Sequence, residues 1–340
     1  MKATINGYAI IGELKNDNSG YAKWGFANNG YNEVFIKQFL SPVYPVGKSM
    51  FSEETYRRKV DICAAFERRK RCFYNQLNQC LTGNIVTVQD FFRFGGKYYI
   101  VTEKVNAKAK MPSEIAALGI NQRLMIAKVI LHCVSSLHAH GIVHNDLKPD
   151  NILIKETATG SYTAKVIDFD SGFQTSCPPN IGDELQGDMV YFAPESFLLV
   201  SEDEDFLASK AVLTEKTDIF ALGIILHQFF CGKIPIIDGA KYNYVFEAVL
   251  DGAIPETCGD VPDFVRAIIA RMIDIDPGKR PSAAKALMWL TNKSNEASCG
   301  RESPAAIEDP SEIPVVKPPA ATPVRLDSKH GYFKPAEDFL

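Results

Sequence analysis

The chain has 340 residues, a formal net charge of −4 and 46% hydrophobic residues. That length buries a sizeable core and admits two domains, while the near-neutral balance gives no reason to expect nucleic acid or an anionic membrane as partner. Eight cysteines stand at 63, 72, 80, 133, 177, 231, 258 and 299 with no CxxC pair, a scatter that predicts reduced thiols in a cytoplasmic protein and argues against a zinc site. The start, MKATINGYAIIG, lacks the apolar core of a signal peptide.

In chain order, GYAIIGEL and EVFIKQF read as strands around the turn-rich KNDNSG. The basic run RRKVDICAAFERRKRCFYNQLNQCL predicts a helix with a solvated face. NIVTVQDFFRF and KYYIVTEKV predict a hairpin turning at Gly95–Gly96. NQRLMIAKVILHCVSSLHAHG carries a helical stripe of Leu124, Ala127, Ile130, Leu131, Val134 and Leu137. DIFALGIILHQFF, too short to span a bilayer, and PDFVRAIIARMI predict further helices. A β-rich part, 1–104, thus precedes a helical part, 105–292. SEDEDF at 201–206 reads as a surface insertion. Residues 293–340 are rich in Pro, Ala and acidic side chains without an apolar face, which predicts an extended or disordered tail.

Residues 141–154 read GIVHNDLKPDNILI. They set His144, Asp146, Lys148 and Asn151 between Ile142–Val143 and Ile152–Leu153–Ile154. Buried polar groups cost free energy unless paired, so four in one apolar stretch mark a site. Seventeen residues after Asn151, VIDFD supplies Asp168. YFAPE then supplies Glu195, KTDIFALG places Asp218 on an apolar helix, and DIDPGKRPSA supplies Arg280. Upstream, VFIK ends on Lys37.

In this order these segments resemble the protein serine/threonine kinases, in a divergent form of bacterial type. The resemblance implies an α+β, two-lobed fold, with a small β-rich lobe over 1–104 and a larger helical lobe over 105–292. It implies ATP- and magnesium-dependent transfer of the γ-phosphate to Ser/Thr hydroxyls of a protein substrate. Asp146 would take the hydroxyl proton and Lys148 would offset the charge of the moving phosphate. Asn151 and Asp168 would be the magnesium ligands. Lys37 would hold the α- and β-phosphates, and Ser19 and Gly20 would belong to the phosphate loop. Glu67, the one acidic residue between Asp61 and Asp90, is the candidate partner of Lys37, although counting back from NIV lands on Phe73. Thr102 would guard the back pocket, Glu103 to Val105 would form the hinge, and Leu153 the adenine floor. Glu195 with Arg280 would make a buried ion pair, Asp218 would brace the catalytic loop, and His144 would be a packed core residue. The tail would serve for docking or self-phosphorylation, at Ser303, Thr322 or Ser328.

Two other readings stand beside this one: a pseudokinase scaffold that binds partners, and a small-molecule phosphotransferase. The second class generally lacks the Ala-Pro-Glu motif and the late Arg, both present here. The chain departs from the kinase pattern at five places. The glycine-rich loop is eroded to Asp17, Ser19, Gly20 and Ala22. Phe35 and Trp24 take the adenine roof. Asn145 replaces an Arg that binds loop phosphate, so activity should not require phosphate on 171–187. Asp170 replaces a Gly, where Asp tolerates unusual backbone angles. Asp188 replaces a Thr, where it would pair with Lys148 or repel Asp146.

Overall fold

The computed structural model describes residues 4–16, 22–80, 83–179, 187–200, 212–258 and 261–298. The first part is an antiparallel sheet of β1 (Thr4–Ile5), β2 (Tyr8–Lys15), β3 (Ala22–Asn28), β4 (Glu33–Phe39), β5 (Val88–Phe94) and β6 (Lys97–Glu103), in the order β1-β2-β3-β4-β6-β5. Strand alternation gives β4 two faces. Val34 and Ile36 are buried with Ala27 and Val101 on one side, while Phe35, Lys37 and Phe39 point to the other. In register, Lys37 lies opposite Trp24 and Ile100, and Phe35 opposite Phe26 and Thr102. The hairpin between β5 and β6 turns at Gly95 (φ 58°) and Gly96 (φ 93°) as expected. A Cβ at Gly96 would lie 2.9 Å from the Tyr44 carbonyl oxygen, so the position requires glycine on two counts.

Helix α1 (Glu53–Leu77) follows β4. The Ser52 hydroxyl accepts from the Thr55 N–H, and Glu53 and Glu54 occupy the positive first turn. Its buried stripe is Cys63, Lys70, Phe73, Tyr74 and Leu77, with Phe66 packed against the rings of Phe39, Phe91 and Tyr98. Of the cations in the basic run, only Lys70 is buried; the others are exposed or half-exposed.

The helical lobe contains β7 (Lys108–Ala109), α2 (Pro112–Ala116), α3 (Ile120–Ala139), β8 (Ile142–Val143), β9 (Ile152–Glu156), β10 (Tyr162–Val166) and β11 (Phe173–Gln174). It continues with α4 (Pro194–Val200), α5 (Glu215–Cys231), α6 (Val245–Leu250), α7 (Asp263–Met272) and α8 (Ala283–Ser298). The predicted stripe of α3 is buried throughout. From Thr217 to His227 every residue of α5 is buried, as a helix at the centre of a core must be. Among the described residues no helix is long and apolar enough to cross a membrane. Helix α8 runs past the boundary expected at 292, to Ser298. The SEDEDF segment and the tail from 299 lie outside the described residues.

One expectation from the cysteines is corrected. Cys231 and Cys258 form a disulfide across a sequence separation of 27, while Cys63, Cys72, Cys80, Cys133 and Cys177 are free thiols. No spacing signature marks such a pair; only the fold brings the end of α5 to the loop before α7.

The expected ion pair is present and buried. Arg280 Nη1 and Nη2 donate to the two Glu195 carboxylate oxygens at 2.7 and 2.9 Å, and Arg280 also donates to the carbonyls of Asp274 and Lys216 at 2.8 and 2.9 Å. It thereby ties α4, α5 and the loop after α7 together. Arg280→Met would leave Glu195 buried without its cation. We expect it to lower unfolding free energy by about 3–5 kcal/mol, read by denaturant titration.

Candidate active site

The site lies where β4 meets the loops around β9 and β10. In that hairpin Val166 pairs with Ile152, and the Ile167 N–H donates to the Asn151 carbonyl at 3.0 Å. The register thus brings Asn151 and Asp168, at its two ends, to one place. The loop carrying Asp146 is held from below by α5. Asp218 accepts from the N–H groups of His144 and Asn145, each at 2.9 Å, and bonds His138 Nε2 at 2.9 Å. Burial pushes the Asp218 carboxyl up, but His138 and His144 outweigh it and hold the pKa below the ordinary value. His144 is fully buried. Its Nε2 donates to the Ile167 carbonyl at 3.0 Å, and its Nδ1 accepts from the Asp146 N–H at 3.3 Å. Both ring nitrogens are occupied, so His144 joins the two loops and carries no proton between them.

Asp146 Oδ2 lies 3.1 Å from Lys148 Nζ. The Asn151 amide donates to the Asp146 carbonyl at 2.7 Å and to Oδ2 at 3.2 Å. The Asp188 backbone N–H donates to Asp146 Oδ1 at 3.2 Å. The Asp188 carboxylate itself caps the Val190 N–H at 3.0 Å, so it is turned to its own turn instead of pairing with Lys148.

Lys37 is buried and reaches across from the sheet. Its Nζ is 2.9 and 3.0 Å from the two Asp168 oxygens and 2.6 Å from Asp170 Oδ2. Burial pushes the Lys37 pKa down, but Asp170 and Asp168 outweigh it and hold it above the ordinary lysine value. Burial likewise pushes Asp168 up, and Lys37, with a smaller contribution from Lys148, outweighs it and holds the pKa below the ordinary carboxylate value. The unusual backbone angle expected at Asp170 sits instead at Asp168, φ 63°, and at Asn145, φ 63°, residue types that tolerate the left-handed region. Asp170 contributes its side chain.

The Glu67 carboxylate does not reach Lys37. It pairs with Arg71 at 2.9 Å, one turn along α1 on the solvent side. The residue that α1 turns into the site is Lys70, which donates to the Asp170 carbonyl oxygen at 2.7 Å and lies 5.5 and 5.7 Å from the ring centroids of Phe39 and Tyr74. Sequence reasoning missed it, although Lys70 falls between Phe66 and Phe73 on one helical stripe.

The nucleotide-site candidates are distributed along the cleft. Thr102 is buried, and its hydroxyl donates to the Glu103 carbonyl at 3.3 Å. The Glu103 carboxylate accepts from Lys165 Nζ at 2.7 Å and the Thr87 N–H at 2.9 Å, tying the crossing strand to both lobes. Burial raises the Glu103 pKa, but Lys165 and Thr87 bring it below the ordinary value. Val105 packs on the main core. Leu153 stands half-exposed between the buried Ile152 and Ile154, hence on the opposite face of β9. Trp24 and Phe35 stack at 5.9 Å, with Phe26 edge-on to both, on the sheet face that carries Lys37. Ser19 and Gly20 lie outside the described residues.

A small sheet lobe, a helical lobe and a carboxylate-bearing loop between them define the two-lobed kinase fold. A family model described as protein kinase domain matches residues 72–289, more than half of the chain, and the chain belongs to that family. The match begins after β4 and does not cover Lys37. Among curated proteins, one named "Probable serine/threonine-protein kinase" from Clostridium acetobutylicum is 28% identical over 68% of this chain and 34% of its own length. Another of that description from Clostridium perfringens is 24% identical over 80% of this chain and 38% of its own length. Calcium-dependent protein kinase 8 of Arabidopsis thaliana is 29% identical over 62% of this chain and 38% of its own length. The chain spans little more than a third of the length of these relatives.

Burial pushes the Lys70 amine down to about 8 from 10.5. Between these values the unfolded chain binds more protons than the folded one, so stability rises with pH through that window. Relative to Lys70→Met, the wild type should gain on the order of 3 kcal/mol between pH 8 and 10.5, measured by denaturant unfolding of both proteins across that range.

Proposed function

We propose that this chain is a protein kinase that moves the γ-phosphoryl group of ATP, with magnesium, onto Ser or Thr hydroxyls of a protein substrate. The observation that carries the proposal is the convergence of Lys37, Asp168 and the Asp146–Lys148–Asn151 loop on one cleft. The donor set fits magnesium. Asn151 commits its amide nitrogen to Asp146, leaving its amide oxygen, with the Asp168 carboxylate, as hard donors. When bound, magnesium neutralises charge on the terminal phosphates. Asp146 accepts the proton of the attacking hydroxyl, held for that role by the Asn151 amide and the Asp188 N–H. Lys148, 3.1 Å away, offsets charge on the transferred group. Lys37 binds the α- and β-phosphates, and Asp170 keeps its amine in place while Asp168 serves the metal. Thr102, Glu103 to Val105 and Leu153 line the adenine end, below the Trp24–Phe35 stack, and Ser19 and Gly20 complete the phosphate loop.

Asp146→Asn should lower phosphate transfer to a generic protein substrate by roughly 10²- to 10⁴-fold while leaving magnesium-dependent ATP binding intact. A wild type that binds ATP and transfers no phosphate would overturn the proposal in favour of a scaffold. Label accepted by sugars or aminoglycosides, and not by proteins, would overturn it in favour of a small-molecule phosphotransferase.

Among the described residues, 171–177 are held by contacts that involve no phosphate. Phe173 and Gln174 pair with Val143 and Ile142, the Thr175 N–H donates to the Gly141 carbonyl at 2.9 Å, and Gln174 bonds Gln76 of α1. The Asn145 amide donates to the Ser171 carbonyl at 3.4 Å. Enzyme treated with phosphatase should therefore keep its activity. Loss of activity that returns on rephosphorylation at Ser171, Thr175 or Ser176 would contradict this. Self-phosphorylation of the tail is supported by its composition and tethering alone, since Ser303, Thr322 and Ser328 lie outside the described residues.

A further inference from the structure

We propose that His227, Cys231 and Cys258, once the Cys231–Cys258 disulfide is reduced, bind a zinc-class divalent cation through one imidazole nitrogen and two thiolates. His227 and Cys231 lie one turn apart on one face of α5. Cys258 follows a paired segment, in which Ile236 and Glu256 exchange N–H···O bonds at 2.9 Å, that holds its loop against the end of the helix. One ring nitrogen of His227 and the two cysteine sulfurs all lie within 4.8 Å of one another.

The histidine supplies the independent observation. It is fully buried. Its Nδ1 is 2.7 Å from the Lys233 carbonyl oxygen; a carbonyl only accepts, so the proton is on Nδ1. Its Nε2 is buried with no hydrogen-bond partner. No carboxylate pairs with the ring among the described residues, and an uncompensated buried cation is costly, so the ring is neutral and Nε2 presents a lone pair. A backbone carbonyl fixing one nitrogen while the other faces a metal is the usual support of a histidine ligand. Nothing in the kinase chemistry uses this group.

Two thiolates and an imidazole form a soft-to-borderline donor set, which suits zinc. The two thiolate charges cancel the dication, which favours binding at this half-buried place. A water can take the fourth position. The exchange balances: a dithiol reductant gives two electrons and two protons to the disulfide and becomes a disulfide itself, and the incoming cation then releases the two thiol protons to solvent. The segment 232–257 is thus closed against α5 by a covalent bond when oxidised and by a metal when reduced.

The test uses the full chain, reduced with a phosphine and freed of metal, then titrated with cobalt(II). We expect one equivalent to give thiolate-to-cobalt charge-transfer absorption and tetrahedral d–d bands, displaced by zinc. The oxidised protein and Cys258→Ser should bind roughly tenfold or more weakly, and His227→Gln should shift the d–d bands. A reduced chain that keeps its circular dichroism and takes up no cobalt would overturn the proposal. So would bands unchanged in Cys258→Ser, since thiols other than this pair, such as the exposed Cys72 or Cys177, would then be binding the metal. Should His227→Gln fail to fold, Cys258→Ser and the oxidised wild type decide the matter.

Discussion

The cleft depends on one buried ammonium. Lys37 Nζ sits between Asp168 and Asp170 at 2.9 and 2.6 Å, and it is one of the points at which the sheet grips the helical lobe. A cation removed from water is costly unless its partners surround it, and here the chain brings two carboxylates from a single tripeptide. Asp168 and Asp170 face Lys37, while Phe169 between them turns away and packs 4.6 Å from the His144 ring. The His144 ring in turn bonds both the Asp146 N–H and the Ile167 carbonyl. One alternation of side chains therefore positions the upper-lobe amine and the loop that bears Asp146.

This arrangement also accounts for what α1 brings to the site. A helix carboxylate beside Lys37 would add a third anion to a place already holding two. The helix presents a cation instead, Lys70, so two lysines face two aspartates. Lys70 donates to the Asp170 backbone carbonyl, which fixes the residue whose side chain holds Lys37. The helix thus reaches Lys37 at one remove. Phe73, one turn further, fills the space against Gly172, where a Cβ would fall 2.5 Å from its ring.

Much of the architecture was legible in the sequence, and the reason is local. The α3 stripe, the Gly95–Gly96 turn and the Asp218 helix each rest on spacing or on a motif read within a short segment, while the Glu195–Arg280 pair, 85 residues apart, came only through the family resemblance. The parts that were not legible depend on contacts between distant segments. Glu67 and Lys70 lie in the same basic run, and only the rotation of α1 against the sheet decides which is buried. Asp170 reads as a backbone substitution until Lys37 is seen against it. The Cys231–Cys258 pair has no signature at all, because the loop between them folds back through α6 before the two sulfurs meet. Asp188, read as a partner or a repellent of the catalytic pair, has an ordinary capping role that a residue two positions on supplies.

Helix α5 joins the two candidate sites of the molecule and also separates them. Its first turns carry Asp218, which holds the backbone of the loop bearing Asp146; its last turns carry His227 and Cys231. Residues 218 and 231 are separated along the axis by roughly 20 Å. From Asp218 to His227 every residue of the helix is buried, and close-packed interiors resist the graded shifts that a change of bridge at one end would need to transmit. Arg280 further fixes the start of the helix through the Lys216 carbonyl. A change at Cys231 therefore acts on what it directly closes, the segment 232–257, whose exposed Ile254 and half-buried Ile234 and Tyr244 border α6. The geometry around Asp146 is insulated from it by the same buried helix that supports both.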